Sequence, residues 1–151
     1  IADIKSKVQW STIGPDKINQ LRHVRFFGDA DGLREHMKKH AAIIRPKFEE
    51  VIETLDKELS ELEIAQWSHP TGGYFVSFDA MEGCAKKIVA KCKEAGLVLT
   101  GAGAAFPYGK DPKDSNIRIA PTMPTMDELK EAMQLFITCV KLVSVEKLLE
   151  A

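Results

Sequence analysis

The side chain whose chemistry is easiest to define lies in residues 114–124, DSNIRIAPTMP. Ile117 and Ile119 alternate with Arg118, which is the pattern of a short strand with one apolar face. An arginine on a strand that follows a loop of glycine and proline residues can form two parallel hydrogen bonds with a carboxylate. The pattern fits an arginine on an edge strand in water equally well, because most arginines lie at the surface. Spacing alone therefore leaves both alternatives open for Arg118.

Histidine and cysteine residues offer weaker candidates for chemistry. His36 and His40 are four residues apart in a predicted helix, a spacing that can bind zinc, but the glutamate and the third ligand of a zinc protease are absent. We favour a solvent-exposed or capping role for both histidines. Cys84 and Cys92 do not have a zinc-binding spacing. The odd total of three cysteines, in helical patterns, argues against a disulfide framework and predicts a cytoplasmic location.

Residues 101–106, GAGAAF, begin like the glycine-rich fingerprint of a dinucleotide-binding site. Phe106 replaces the third glycine, Pro107 follows it, and no helix is predicted to begin there and receive a pyrophosphate. We predict instead that these glycines let the backbone pass close to a bulky neighbour.

Length and charge limit the classes of protein that remain. The chain has 151 residues, enough for one domain, and a net charge of -1 gives no general attraction to nucleic acid or to a membrane surface. No apolar run approaches the roughly 20 residues that a membrane-spanning helix needs. We therefore expect neither a nucleic acid nor a membrane as a partner.

Helical periodicity predicts the elements of the first half of the chain. The apolar spacing indicates a helix that ends near Phe27, because residues 28–31, GDAD, interrupt the pattern. An apolar stripe then runs from Leu33 to Leu59 over about seven turns. Because the stripe keeps its phase across Pro46, we predict one long kinked helix rather than two helices.

The second half mixes strand and helix patterns. Four short segments are predicted as strands: residues 64–67, 74–78, 97–100 and the segment around Arg118. Asp79 is predicted to cap the helix that follows the second strand, and Thr125 with Glu128 to form a capping box for the last helix. The predicted fold is α+β, with a small, mostly antiparallel sheet of about four short strands, helices packed on one face, and the long kinked helix before it.

Five segments together resemble a known family. They are TIGPDKINQLRHVRFF, HAAIIRPKFEEVIETL, PTGGYFVSF, GAAFPYGKDPKDSNIRIAPTMP and the closing VEKLL. The chain resembles the pyridoxal-phosphate-dependent class I aminotransferases of fold type I, and most of all the bacterial branch of aspartate aminotransferases. The segments occur in the family's order and cover nearly the whole chain.

The resemblance implies that the chain is the C-terminal part of a longer enzyme. Residues 1–28 would be a connecting segment and helix from the large domain, and residues 29–151 the C-terminal small domain. The Schiff-base lysine would lie upstream, since the Ser6-Lys7-Val8 segment lacks the glycine-rich sequence expected after it. The full-length protein would hold pyridoxal phosphate as a homodimer and transfer an amino group between an aspartate-like amino acid and a 2-oxo acid. The chain alone would bind no cofactor covalently and would be inactive.

The resemblance also implies roles for particular residues. Asn116 to Ile119 match the segment whose arginine binds the substrate α-carboxylate, which assigns that role to Arg118 and places Asn116 in the substrate-binding segment. Tyr74 and Phe75 match the turn and strand that border the substrate, and either could form its wall. No catalytic residue is expected in this chain.

Two alternatives use the same fold without catalysis. One is a ligand-binding module. The other is the aminotransferase-like effector domain of a transcriptional regulator, which predicts a basic helix-turn-helix segment that this chain does not contain.

Overall fold

The computed structural model describes residues 1–150, which divide into two compact units between Ala42 and Ile43. The first unit contains α1 (Ala2–Thr12), α2 (Lys17–Phe27) and the beginning of α3 (Ala30–Leu59). The second unit contains the rest of α3, a sheet and two more helices. No helix in the described part is long and apolar enough to cross a membrane.

The long helix α3 is continuous through Pro46, as its apolar stripe predicted. Asp29 begins it, because the Oδ1 atom of Asp29 accepts hydrogen bonds from the main-chain N–H groups of Asp31 at 3.0 Å and Gly32 at 2.8 Å. In the second unit α3 turns Val51, Leu55 and Leu59 into the core, and all three side chains are fully buried. The helix thus provides one wall of that core.

The sheet has three antiparallel strands in the order β1-β2-β3. They are β1 (Ala65–Trp67), β2 (Val76–Ala80) and β3 (Asn116–Ile119). In the register of β2 and β3, Ser77 lies opposite Arg118 and Asp79 lies opposite Asn116. Because β3 pairs only with β2, it is an edge strand of the sheet.

One face of the sheet forms the core of the second unit. Val76, Phe78 and Ala80 of β2 are buried while the residues between them are exposed, which is the alternation of a sheet covered on one side. The core also includes residues of α3, of α4 (Ala85–Glu94) and of α5 (Met126–Leu149). The predicted α+β class, with a small antiparallel sheet after a long helix, is confirmed.

The prediction of a fourth strand at residues 97–100 is wrong. This segment pairs with no strand, and its first residue, Leu97, donates its main-chain N–H to the carbonyl of Cys92 at 2.8 Å, across the end of α4. Leu97 and Leu99 are half-buried against the core. Their apolar side chains, which suggested a strand, contribute packing but no ladder hydrogen bonds.

The prediction that Asp79 caps a helix is also wrong. Asp79 lies within β2, opposite Gln66 of β1 and Asn116 of β3, and α4 begins only at Ala85. A short polar side chain after an apolar run is typical of a helix cap, but here it belongs to the exposed face of the central strand. The strand ladder therefore outweighs the local capping preference.

The capping box predicted for the last helix is present. The Thr125 Oγ1 atom accepts the main-chain N–H of Glu128 at 3.3 Å, and the Glu128 carboxylate accepts the main-chain N–H of Thr125 at 2.7 Å. We expect Thr125→Ala to lower the free energy of unfolding by about 1 kcal/mol, because it removes an N-terminal cap. Urea denaturation of the 151-residue chain measures this. An unchanged unfolding midpoint would show that the cap does not stabilise α5.

Candidate functional site

The open face of the sheet, opposite the core, is formed by polar side chains of β2 and β3. Ser77 and Asp79 of β2 point away from the core, and the register places them opposite Arg118 and Asn116 of β3. The alternation of β3 turns Ile117 into the core and leaves its polar neighbours on the open face. The structure thus brings together Arg118 and Asn116, two of the residues predicted from the sequence.

Arg118 is half-buried and has no partner of opposite charge among the residues that the structure describes. Its Cζ atom lies 4.3 Å from the ring centroid of Phe75, in cation–π geometry. Its Nε atom is enclosed and has no hydrogen-bond acceptor among residues 1–150, and none of the ion pairs of these residues includes Arg118. The guanidinium group therefore lies against an aromatic ring, and no carboxylate of the described residues balances its charge, an arrangement that favours an anionic ligand.

Asn116 is buried beside Arg118 and bridges the two strands. Its Nδ2 atom donates to the Oγ atom of Ser77 and to the Oδ1 atom of Asp79, both at 2.9 Å. Its own Oδ1 atom is buried and has no partner within residues 1–150. A buried polar atom without a partner is uncommon and costs free energy. The open face therefore carries, beside Arg118, a buried oxygen atom that could accept a hydrogen bond from a ligand.

Phe75 and Tyr74, the two predicted wall residues, occupy different surroundings. Phe75 is 45% exposed and contacts the guanidinium group of Arg118. Tyr74 is 56% exposed, and neither a hydrogen bond nor an aromatic contact of its side chain occurs within residues 1–150. The observed geometry therefore connects Phe75, but not Tyr74, to the arginine.

The loop before β3 packs against the start of that strand. Gly103 has a φ of 74°, and its main-chain N–H donates to the carbonyl of Asn116 at 3.0 Å. A Cβ atom at Gly103 would lie 3.1 Å from the carbonyl oxygen of Gly109 and 3.3 Å from the Cβ atom of Asp111. The backbone at Gly103 thus passes close to its own loop rather than to the bulky neighbour that was predicted. Gly101 has open space around it.

Asp111 and Lys47 also hold the region around β3, and the sequence patterns did not identify them. The Asp111 carboxylate accepts main-chain hydrogen bonds at the entry to β3, and these bonds, the one from Asn116 foremost, lower the pKa of its carboxyl group. The Lys47 ammonium group donates to main-chain carbonyls of the loop after β3. An aspartate just before a proline is a turn signal that could have drawn attention to Asp111, whereas no local signal identifies Lys47.

The histidines and cysteines do not form a second site in the described part. Among residues 1–150, no group of three or more potential ligands could hold a metal ion. The rings of His36 and His40 lie 4.6 Å apart on α3. The three cysteines are buried free thiols, and burial, followed by the neighbouring Cys139, raises the pKa of Cys92 to about 12. Such a thiol is protonated and unreactive at neutral pH.

The second unit is thus an α+β unit with an arginine on the open face of its sheet, and this arginine has no ion pair within residues 1–150. Comparison with known proteins gives the family. The sequence model of the family described as Aspartate amino-transferase matches residues 1–151. The chain belongs to this family.

Individual relatives agree with this family. An aspartate aminotransferase of Corynebacterium glutamicum is 50% identical over 134 residues, which cover 89% of this chain and 31% of that protein. The crystal structure of an aspartate transaminase from the same species superposes with a TM-score of 0.86 at 47% identity and covers 94% of this chain and 34% of that chain. The α-aminoadipate aminotransferase LysN of Thermus thermophilus, solved with a phosphopyridoxyl-leucine ligand, has a TM-score of 0.71 at 16% identity, which shows a shared fold alone. The chain spans about a third of the length of the relatives it matches.

Proposed function

We propose that this chain is the C-terminal part of a pyridoxal-phosphate-dependent aminotransferase and that Arg118 binds the α-carboxylate of its amino acid and 2-oxo acid substrates. The observation that carries this proposal is the half-buried guanidinium group on the open face, which stacks on Phe75 and has no counter-ion within residues 1–150. A guanidinium group matches a carboxylate with two parallel hydrogen bonds. The name of the Corynebacterium glutamicum relative supports an aspartate-like substrate.

The role proposed for Arg118 is orientation. Two parallel hydrogen bonds fix the plane of the substrate carboxylate and therefore the direction of the bonds at the α-carbon. Correct orientation of reacting groups can contribute several kcal/mol to a rate enhancement. In the full-length protein, closure of the small domain over the substrate would bring Arg118 to the carboxylate and exclude water. Phe75 contributes by holding the guanidinium group, and Asn116 by tying its strand to β2.

The cofactor would be held by the remainder of the longer protein. Pyridoxal phosphate, when bound, supplies an electron sink for the reacting α-carbon. Lys7, in the segment most similar to the cofactor motif, has a side chain that is 76% exposed, and its Nζ atom lies 3.0 Å from the Oδ2 atom of Asp3 in the same helix. The sequence after Lys7 also lacks the glycine-rich segment expected in that motif. We therefore place the cofactor-binding lysine upstream. That the full-length protein is a homodimer and that it lies in the cytoplasm stay predictions.

We propose that residues 1–28 belong with the large domain and residues 29–151 form the small domain. This boundary is supported by α1 and α2, which bury no residue. Apolar side chains of α2, among them Ile18 and Leu21, are 75% and 55% exposed. Apolar helix faces of this kind are typical of segments that pack against further structure. The proposed boundary falls in the gap between α2 and α3, whereas the two compact units divide later in the chain, between Ala42 and Ile43 inside α3.

The direct test of the proposed activity is amino transfer by the full-length protein. Loaded with pyridoxal phosphate, it is expected to convert aspartate and 2-oxoglutarate to oxaloacetate and glutamate in a coupled assay. Other amino acids serve as alternative donors in the same assay. The absence of transfer from every class of amino acid by the folded, cofactor-loaded protein would contradict the proposal.

A separate prediction concerns this chain on its own. With one equivalent of pyridoxal phosphate, the 151-residue chain is expected to give no stronger visible absorption than free amino-blocked lysine at the same amine concentration. The reason is that exposed lysines such as Lys7 lack an enclosed site. Borohydride reduction followed by mass spectrometry locates any attached cofactor. Stoichiometric labelling of one lysine of this chain would show that the cofactor-binding lysine has been misplaced.

A further inference from the structure

Arg118 lies on β3, a short strand with few neighbours to hold it in place. β3 contains four residues and pairs with β2 along one side only. A short edge strand of this kind opens more easily than a central one. A binding group has to stay within about 0.5 Å of its productive position to act efficiently. A carboxylate-binding arginine on β3 therefore needs both ends of the strand to be held.

We propose that Asp111 and Lys47 are positioning residues for Arg118, each fixing one end of β3 through main-chain hydrogen bonds. This inference rests on the proposed function of Arg118 as the carboxylate-binding residue. The hydrogen bonds of both side chains go to the main chain and not to the guanidinium group: those of Asp111 go to the entry and first residue of β3, and those of Lys47 to the loop after the strand.

Asp111 holds the entry to β3. Its Oδ1 atom accepts the main-chain N–H of Lys113 at 2.9 Å, and its Oδ2 atom accepts those of Ser115 and Asn116 at 2.8 Å each. Hydrogen bonds to an ionised acceptor are about twice as strong as neutral ones. Since Asn116 is the first residue of β3, the carboxylate fixes the strand two residues before Arg118.

Lys47 holds the exit from β3. Its Nζ atom donates to the main-chain carbonyl of Thr122 at 2.8 Å and to that of Pro124 at 2.6 Å, which ties the loop after the strand to α3. The next residue, Thr125, caps α5. The segment that leaves β3 is thus attached to one helix by Lys47 and to another by its own capping box.

Steady-state kinetics of the full-length, cofactor-loaded protein can separate positioning from simple stabilisation. Lys47→Met and Asp111→Asn are each expected to raise KM for both amino acid and 2-oxo acid about tenfold, since a displacement of about 1 Å at a reacting group can cost 100-fold. The affinity for pyridoxal phosphate is expected to stay unchanged. Lys47→Arg, which keeps donors for both carbonyls, is expected to restore most of the wild-type KM.

Two matched controls remove similar contacts elsewhere in the second unit. Lys141→Met breaks the bond from Lys141 to Glu58 at 2.7 Å, and Asp114→Asn alters the acceptor of the Lys86 main-chain N–H at 3.3 Å in the same loop as Asp111. Both are expected to leave KM within about twofold of wild type, in line with the small effects of changes away from a site. Each variant is used only where its circular dichroism spectrum matches the wild type.

A double-mutant cycle gives the deciding result. If Lys47 acts through Arg118, Lys47→Met is expected to have no further effect on KM when Arg118 is already alanine. The inference would be overturned if Lys47→Met raised KM by the same factor in the Arg118→Ala background as in the wild type. It would also be overturned if Lys47→Met raised KM no more than the two controls do. If Arg118→Ala by itself leaves KM unchanged, the carboxylate assignment fails, and the inference that depends on it fails with it.

Discussion

Arg118→Ala in the full-length protein is expected to lower kcat/KM for amino acids and 2-oxo acids by about 100-fold. The guanidinium group has no counter-ion within residues 1–150 and is held 4.3 Å from the Phe75 ring, so a substrate carboxylate would be its charged partner. A hydrogen bond to a charged group contributes about 1.5–3 kcal/mol, and each 1.4 kcal/mol corresponds to about tenfold. Steady-state kinetics with aspartate and with 2-oxoglutarate measure the loss.

Two further variants show whether the loss depends on the shape of the group. Arg118→Lys keeps a positive charge but cannot form two parallel hydrogen bonds, so we expect an intermediate loss of about tenfold. Arg34→Ala removes an exposed arginine of α3 that pairs with Asp31, and is expected to leave kcat/KM unchanged. An Arg118→Ala protein that folds normally and keeps its wild-type kcat/KM would contradict the assignment.

Phe78→Ala is expected to lower the free energy of unfolding by about 3–5 kcal/mol, the usual cost of removing a buried aromatic ring. Phe78 is 0% exposed at the centre of β2. Its ring lies parallel to that of Trp67 at 6.3 Å and meets the ring of Phe136 edge-on at 5.1 Å. Truncation would therefore remove contacts to both the neighbouring strand and α5. Denaturant unfolding of the 151-residue chain gives the difference.

Phe26→Ala is the matched control for this truncation. Phe26 lies on α2 and is 69% exposed, so the same chemical change leaves no buried cavity. We expect its effect on the free energy of unfolding to stay below about 1 kcal/mol. If Phe78→Ala destabilised the chain no more than Phe26→Ala, Phe78 would not be a central residue of the core.

Features set by neighbouring residues were predictable from the sequence. The capping box of Thr125 and Glu128 needs residues only three apart, and it is present as predicted. The apolar stripe of α3 predicted a continuous helix through Pro46 because packing of that face outweighs the loss of one main-chain hydrogen bond. Local hydrogen bonds and periodicity therefore account for the helices.

Strand pairing was harder to predict because it depends on distant residues. Residues 97–100 have the composition of a strand, yet their apolar side chains pack against the core without joining the ladder. Asp79 has a side chain typical of a helix cap, but cross-strand pairing with β1 and β3 places it in the sheet. In both places the outcome follows from the position of other strands, which local propensity does not describe.

In the candidate site, too, local features were predictable from the sequence and contacts between distant residues were not. The alternation around Arg118 predicted its strand, and only the resemblance to a family favoured a role for its guanidinium group over exposure to water. Lys47 lies 75 residues from Thr122 in the chain and bonds to main-chain carbonyls, which carry no sequence signal. Residues that act on the main chain of a distant loop become visible only in the folded structure.

The central claim is that Arg118 recognises the α-carboxylate, and one ratio tests it most directly. β-Alanine has the amino group and the side-chain carboxylate of aspartate but lacks the α-carboxylate. In steady-state reactions of the full-length protein, we compare kcat/KM for aspartate with kcat/KM for β-alanine. The ratio of the two values is expected to fall about 100-fold in Arg118→Ala, which corresponds to a loss of roughly 2.7 kcal/mol of transition-state stabilisation. An equal loss for both amines, which would leave the ratio at its wild-type value, would contradict the claim.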